Sequence, residues 1–120
     1  MNYLYETAGD IINLSSTVLE GLNHIKLRME EGQLKETLFL FEDVLEALIS
    51  VENSVQPLME KDKELGKAVA VLKQSLEMLA RAYEEDNLVK AQTALGDNLL
   101  PALEKLRAEL ELSLQKYKDS

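Results

Sequence analysis

Three carboxylates, Glu42, Asp43 and Glu46, stand close enough in sequence to share a hard cation such as Ca²⁺ or Mg²⁺. On a helix Glu42 and Glu46 fall one turn apart, with Asp43 beside them. No calcium-loop spacing surrounds them, and acids at i and i+4 in water mostly repel one another mildly. They are weak cation candidates, and a dedicated metal site is not expected. Other chemistries fail on composition. The chain has no cysteine, which removes thiolate zinc sites, iron–sulfur clusters, disulfides and cysteine nucleophiles. Its single histidine, His24, cannot furnish the two Glu-x-x-His motifs of a di-iron bundle, and Glu20 precedes it by four positions rather than three. Ser15, Ser16 and Thr17 lack the glycine elbow of a nucleophilic serine, and no glycine loop that would cradle phosphate occurs. The chain reads as non-enzymatic, with no cofactor.

The residues that remain are apolar ones, and their positions depend on the elements that carry them. Leu4, Ala8, Ile11, Ser15, Val18, Leu22, Ile25 and Met29 recur at alternating steps of four and three, one stripe down a helix. The same spacing runs through Leu34, Leu38, Phe41, Leu45, Leu48, Glu52 and Val55, then from Leu65 to Tyr83, and again from Leu88 to Tyr117. Gly32 suits the left-handed position that ends a helix, and Asp86-Asn87 can end the third helix and cap the fourth. Pro57 lacks a backbone donor and Asp62 offers a cap, so a short turn is expected near residues 56–62, with a kinked continuous helix as the alternative. The pattern predicts one all-α domain over residues 1–120, with helices at about 3–31, 33–56, 62–85 and 87–117. Short connections make it an antiparallel up-down four-helix bundle.

The two halves correspond at an offset of 54 positions. Val18, Leu22, Ile25, Met29-Glu30-Glu31 and Leu34 align with Leu72, Leu76, Leu79, Tyr83-Glu84-Glu85 and Leu88. Each half is a helical hairpin with an acidic turn, as an internal duplication would leave it, although any two amphipathic hairpins align at heptad spacing. Charge divides unevenly. Residues 1–60 hold eleven acids and three bases, and residues 61–120 hold eleven acids and ten bases. The first hairpin therefore favours basic partners, including the second hairpin of a neighbouring copy. The net charge of -9 argues against nucleic-acid binding and against an anionic membrane surface. No run approaches the ~18 apolar residues of a spanning helix. The start, Met1-Asn2-Tyr3-Leu4-Tyr5-Glu6, lacks a secretory leader. A cytoplasmic location is expected.

Several residues break the pattern. Glu52 interrupts the second stripe and needs either Lys63 or Lys67 as a partner or an outlet to water. Pro101 sits inside the fourth stripe just after Gly96-Asp97-Asn98, which predicts a kink or hinge at Gly96 and Pro101, with Asn98 capping the helix beyond it. Leu27 falls on the outer face of the first helix, and Phe39 and Leu40 on the outer face of the second. In a hairpin turning at Gly32 these three share a height near one bundle end, and a contiguous apolar patch usually marks a partner. Leu112 and Leu114 are a second candidate patch.

The turn Met29-Glu30-Glu31-Gly32-Gln33-Leu34 is similar to turns in small bacterial helical proteins, and the whole chain resembles short uncharacterised bacterial helical-bundle proteins of unknown function. In size, acidity and helical pattern it also has a distant likeness to flagellar export chaperones, which implies gripping a partner's helix but transfers no functional residue. The expectation is a protein-interaction module that self-associates, as in a homodimer, or binds a partner helix through Leu27, Phe39 and Leu40. The alternatives are a small chaperone for an exported helical protein and a carboxylate-based divalent-cation binder.

Overall fold

Leu22, Ile25 and Met29 are fully enclosed, as are Leu48, Val51 and Val55, so the alternating four-and-three spacing is a record of burial. The computed structural model describes residues 3–118, and the side chains of Leu4 and Tyr117 lie outside what it describes. Helix α1 spans Tyr3–Glu30 and α2 spans Leu38–Met59, entered through a single 3₁₀ turn at Lys35–Thr37. Helix α3 spans Lys63–Glu84. A fourth rod is built from α4 (Leu88–Thr93), a π turn (Ala94–Leu99) and α5 (Leu100–Lys118). Among the described residues there is no strand. The rods close as a ring in which α1 packs on α2 and α5, and α3 packs on α2 and the fourth rod. This is an all-α four-helix bundle.

The two turns at one bundle end are the same motif 54 positions apart. Gly32 (φ 79°) and Asp86 (φ 51°) each take the left-handed conformation. The Gln33 N–H donates to the Arg28 carbonyl at 3.0 Å, and the Asn87 N–H donates to the Ala82 carbonyl at 3.0 Å, the 6→1 bond of a Schellman cap. Beyond the turns the halves diverge. The Asn87 side chain caps α4 by accepting from the Lys90 N–H at 3.0 Å, whereas the first hairpin restarts with 3₁₀ geometry and no side-chain cap.

Two expectations about proline need correction. Pro57 does not end α2, which runs on to Met59 and turns only at residues 60–62. The proline sits on the solvent side, and one residue later Leu58 is fully buried. Burial of such a side chain is worth about 1.5–3 kcal/mol, enough to offset much of the ~3 kcal/mol cost of a helical proline. At Pro101 the fourth rod is not simply kinked. The backbone inserts a π turn immediately before it, closed by the Leu100 N–H to the Leu95 carbonyl. Asn98 does not cap the helix beyond but donates backward from Nδ2 to the Thr93 carbonyl at 3.2 Å. The extra residue also brings the neighbours Leu99 and Leu100, and Ala102 and Leu103, into the core together.

Two glycines distinguish the backbone of the π turn from that of the first hairpin turn. Gly96 lies in the π turn without a positive φ, and an added Cβ would meet open space, so Gly96→Ala is expected to raise stability by about 0.5–1 kcal/mol. Gly32→Ala forces a Cβ into the left-handed region and is expected to cost about 1 kcal/mol. Thermal melts of the two variants moving in the same direction would contradict this assignment.

Candidate interaction face

A close approach between α1 and α2 at Gly21 sets the register of their outer side. A Cβ built on Gly21 would stand 3.0 Å from a Val44 methyl, so residue 21 lies opposite residue 44. Around that point two heptad stripes face each other across the outer surface. On α1 the stripe is Thr7, Asp10, Leu14, Thr17, Gly21 and His24. On α2 it is Leu40, Asp43, Ala47, Ser50, Ser54 and Pro57, running the opposite way. Between them lie two open cavities. One, of about 360 Å³, is lined by Thr7, Asp10, Ile11, Leu14, Asn53, Ser54 and Pro57. The other, of about 380 Å³, is lined by Thr17, Val18, Glu20, Gly21, His24, Leu40, Asp43, Val44 and Ala47. Both open along the groove between the two stripes, the second with a mainly apolar floor and each with acidic residues at its edge.

The apolar residues singled out from sequence sit at one end of this groove. Leu40 forms part of its wall and is 36% exposed, while Leu27 is 58% exposed and Phe39 80% exposed. The register set at Gly21 and Val44 puts Leu27 level with Leu38 and Phe39. Leu38 is exposed as well, although its place in the second stripe marks it as core. The 3₁₀ entry to α2 is the physical reason: it rotates the first turn so that Leu34 and Thr37 are buried instead. The second candidate patch divides. Leu112 is exposed, but Leu114 packs against the core.

Glu42, Asp43 and Glu46 are all exposed on α2. Among the described residues no group of three or more His, Asp or Glu side chains is placed to hold a metal ion. None of Asp10, Glu20, Glu42, Asp43 and Glu46 enters an ion pair among the described residues. Their charge faces solvent uncompensated. Among those residues, too, no helix is long and apolar enough to cross a membrane.

Elsewhere titratable groups serve the scaffold. Glu52 pairs with Lys73 at 3.1 Å, not with Lys63 or Lys67, because the later turn at residues 60–62 moves α3 along α2. Asp62 caps α3 through Oδ1, which accepts from the Glu64 N–H at 3.0 Å. Its Oδ2 accepts from Ser113 Oγ at 2.8 Å and lies 3.8 Å from Lys116 Nζ. Burial pushes this carboxyl up, but the Ser113 bond, the backbone donors and the Lys116 charge outweigh it and hold the group below its ordinary value. At the opposite end Thr37 Oγ1 donates to the Leu34 carbonyl at 2.6 Å, which spends its one proton. The Tyr83 hydroxyl therefore donates to Thr37 Oγ1 at 2.7 Å. Its ring stacks on Phe41 with centroids 4.8 Å apart, and burial raises its pKa. Sequence marks Asp62 as a cap, but nothing in a local pattern points to its link with Ser113, 51 positions on.

Residues 6–109 match the family described as a domain of unknown function (DUF8042), and the chain belongs to that family. No curated protein and no solved structure matches it.

Because its folded pKa is lowered, the Asp62 carboxylate contributes its full stability above the ordinary value of 3.8 and loses it as pH falls through the lower folded value. Asp62→Asn is expected to cost about 1 kcal/mol at neutral pH. Urea unfolding from pH 7 to pH 2 should show the gap between wild type and variant closing below pH ~4. A gap that stays constant to pH 2 would mean that the carboxylate's charge plays no part in holding this end of the bundle.

Proposed function

We infer that this protein is a non-enzymatic interaction module whose docking face is the outer side of the α1–α2 hairpin. The observation that carries the reading is the joint exposure of Leu27, Phe39 and Leu40 at the mouth of a groove already floored by apolar side chains. An exposed phenylalanine beside two leucines leaves a partner's apolar face a place to bury area, and fully burying each side chain gives about 1.5–3 kcal/mol. A groove between two rods lying side by side also fits the shape of a third helix, the helix-in-groove mode of recognition. The acidic edges, Asp10, Glu20 and Asp43, favour an occupant carrying positive charge and would speed its approach.

The same face would serve a chaperone holding a helix of an exported protein; the residues in use would be the same. Glu42, Asp43 and Glu46 act in this reading as a charged rim rather than as cation ligands.

The triple variant Leu27→Glu/Phe39→Glu/Leu40→Glu replaces only exposed side chains, so its melting temperature is expected to stay within a few degrees of wild type. Light scattering and affinity capture from the source cell are then compared for the two chains. The expected result is that wild type associates, with itself or with a helical protein, and that the variant loses at least tenfold in affinity. Association equal in both chains, or absent from both, would end the assignment of this face.

A further inference from the structure

The ring order of the rods places the groove between α3 and the fourth rod on the side opposite the α1–α2 groove. Its charge is the converse. Lys67, Arg81, Lys90 and Lys105 line it against Glu64 and Glu85. The α1–α2 groove carries Asp10, Glu20 and Asp43 and no lysine or arginine. Both have apolar floors: Val71, Met78 and Val89 are exposed on the basic side as Leu27, Phe39 and Leu40 are on the acidic one. The bundle measures 49 × 21 × 18 Å, so one long face offers on the order of 900 Å², close to the ~800 Å² per partner of a standard stable interface.

We propose that the occupant of the α1–α2 groove is a second copy of this chain, seated through its α3–fourth rod groove. The proposal rests on the α1–α2 face being a docking surface and names what docks there. Three of the basic residues lean on exposed neighbours: Lys67 on Glu64 at 3.3 Å, Arg81 on Glu77 at 3.9 Å and Lys90 on Glu85 at 2.9 Å; Lys105 pairs at 3.2 Å with Glu109, whose side chain is only 12% exposed. Exposed pairs of this kind hold little energy, so Lys67, Arg81 and Lys90 are free to turn to the unpaired acids of a neighbour. The net charge of -9 opposes approach at long range, but that repulsion is screened beyond the ~8 Å Debye length of physiological salt, while pairs inside a groove are screened much less. The two faces differ and lie on opposite sides, so the contact is heterologous. Copies join head to tail in an open row rather than closing as a symmetric dimer.

His24, the one histidine, reports on the acidic groove, and Met78 reports on the basic one. Wild type is diluted from ~1 mM to ~10 μM and followed by sedimentation and NMR. Its mass at the upper limit is expected to exceed the 13.5 kDa monomer, with the His24 imidazole and Met78 methyl resonances shifting together. Asp10→Lys/Glu20→Lys/Asp43→Lys is expected to weaken association at least tenfold, and so is Lys67→Glu/Arg81→Glu/Lys90→Glu. All six changes in one chain keep the net charge and should restore association to within about threefold of wild type. A wild type that stays at 13.5 kDa throughout, or that associates without moving His24 and Met78, overturns the proposal. If that monomer still captures a helical partner through Leu27, Phe39 and Leu40, only the second copy as occupant is lost and the docking face stands.

Discussion

Apolar side chains at half-heptad spacing must leave water, and on a helix only one stripe can do so at a time. Once Ile11, Val18, Leu22 and Ile25 of α1 and Val44, Leu48, Val51 and Val55 of α2 turn inward, the positions beside them have no freedom left. Thr7, Asp10, Leu14, Thr17, Gly21 and His24 must then line one flank, and the stripe from Leu40 to Pro57 must face it. Gly21 sets how near the rods come, because any side chain there would press on Val44. The groove is thus a consequence of the core, and its acidity comes from which residues occupy flank positions.

The ends of the bundle hold that register. At one end two Schellman turns place Met29 and Tyr83 at corresponding heights, and Gln92 Nε2 donates to the Met29 carbonyl at 3.3 Å across the pair. The Thr37–Tyr83 hydrogen bond and the Phe41–Tyr83 stack fasten the entry of α2 to the end of α3. At the other end Asp62 ties the α2–α3 turn to α5 through Ser113 and Lys116. Among the described residues two buried side-chain atoms make no hydrogen bond, Ser15 Oγ and Arg107 Nε, the latter 3.9 Å from a Glu111 carboxylate oxygen.

How much of this is legible in the sequence depends on how local the signal is. The helices, the Gly32 and Asp86 turns and the Asp62 and Asn87 caps all arise from steps of three and four residues or from a single side chain's chemistry. Leu27, Phe39 and Leu40 are recognisable as off the seam for the same reason. Readings that require knowing how far one rod extends past another fail together. A turn placed at Pro57 makes Lys63 or Lys67 the partner of Glu52, whereas a helix that continues through Pro57 presents Lys73. The π turn inserts one residue's worth of rotation into the fourth rod, and no heptad count anticipates that. Leu38 reads as core because the 3₁₀ entry to α2 carries no sequence mark. The facing of the two flank stripes is a tertiary fact and cannot be read from either helix alone.

The groove exists only if α1 and α2 stand in one register, with residue 10 beside 54 and residue 24 beside 40. The chain has no cysteine, so pairs of introduced cysteines can carry spin labels without competition. Pulsed EPR distances for 10–54, 24–40 and the offset pair 10–40 read that register directly. Matching short distances are expected for the first two and a clearly longer one for 10–40, whose members are displaced by ~21 Å along the axis. A 10–40 distance as short as 10–54 would mean that the stripes do not face each other as described, and the groove would go with them.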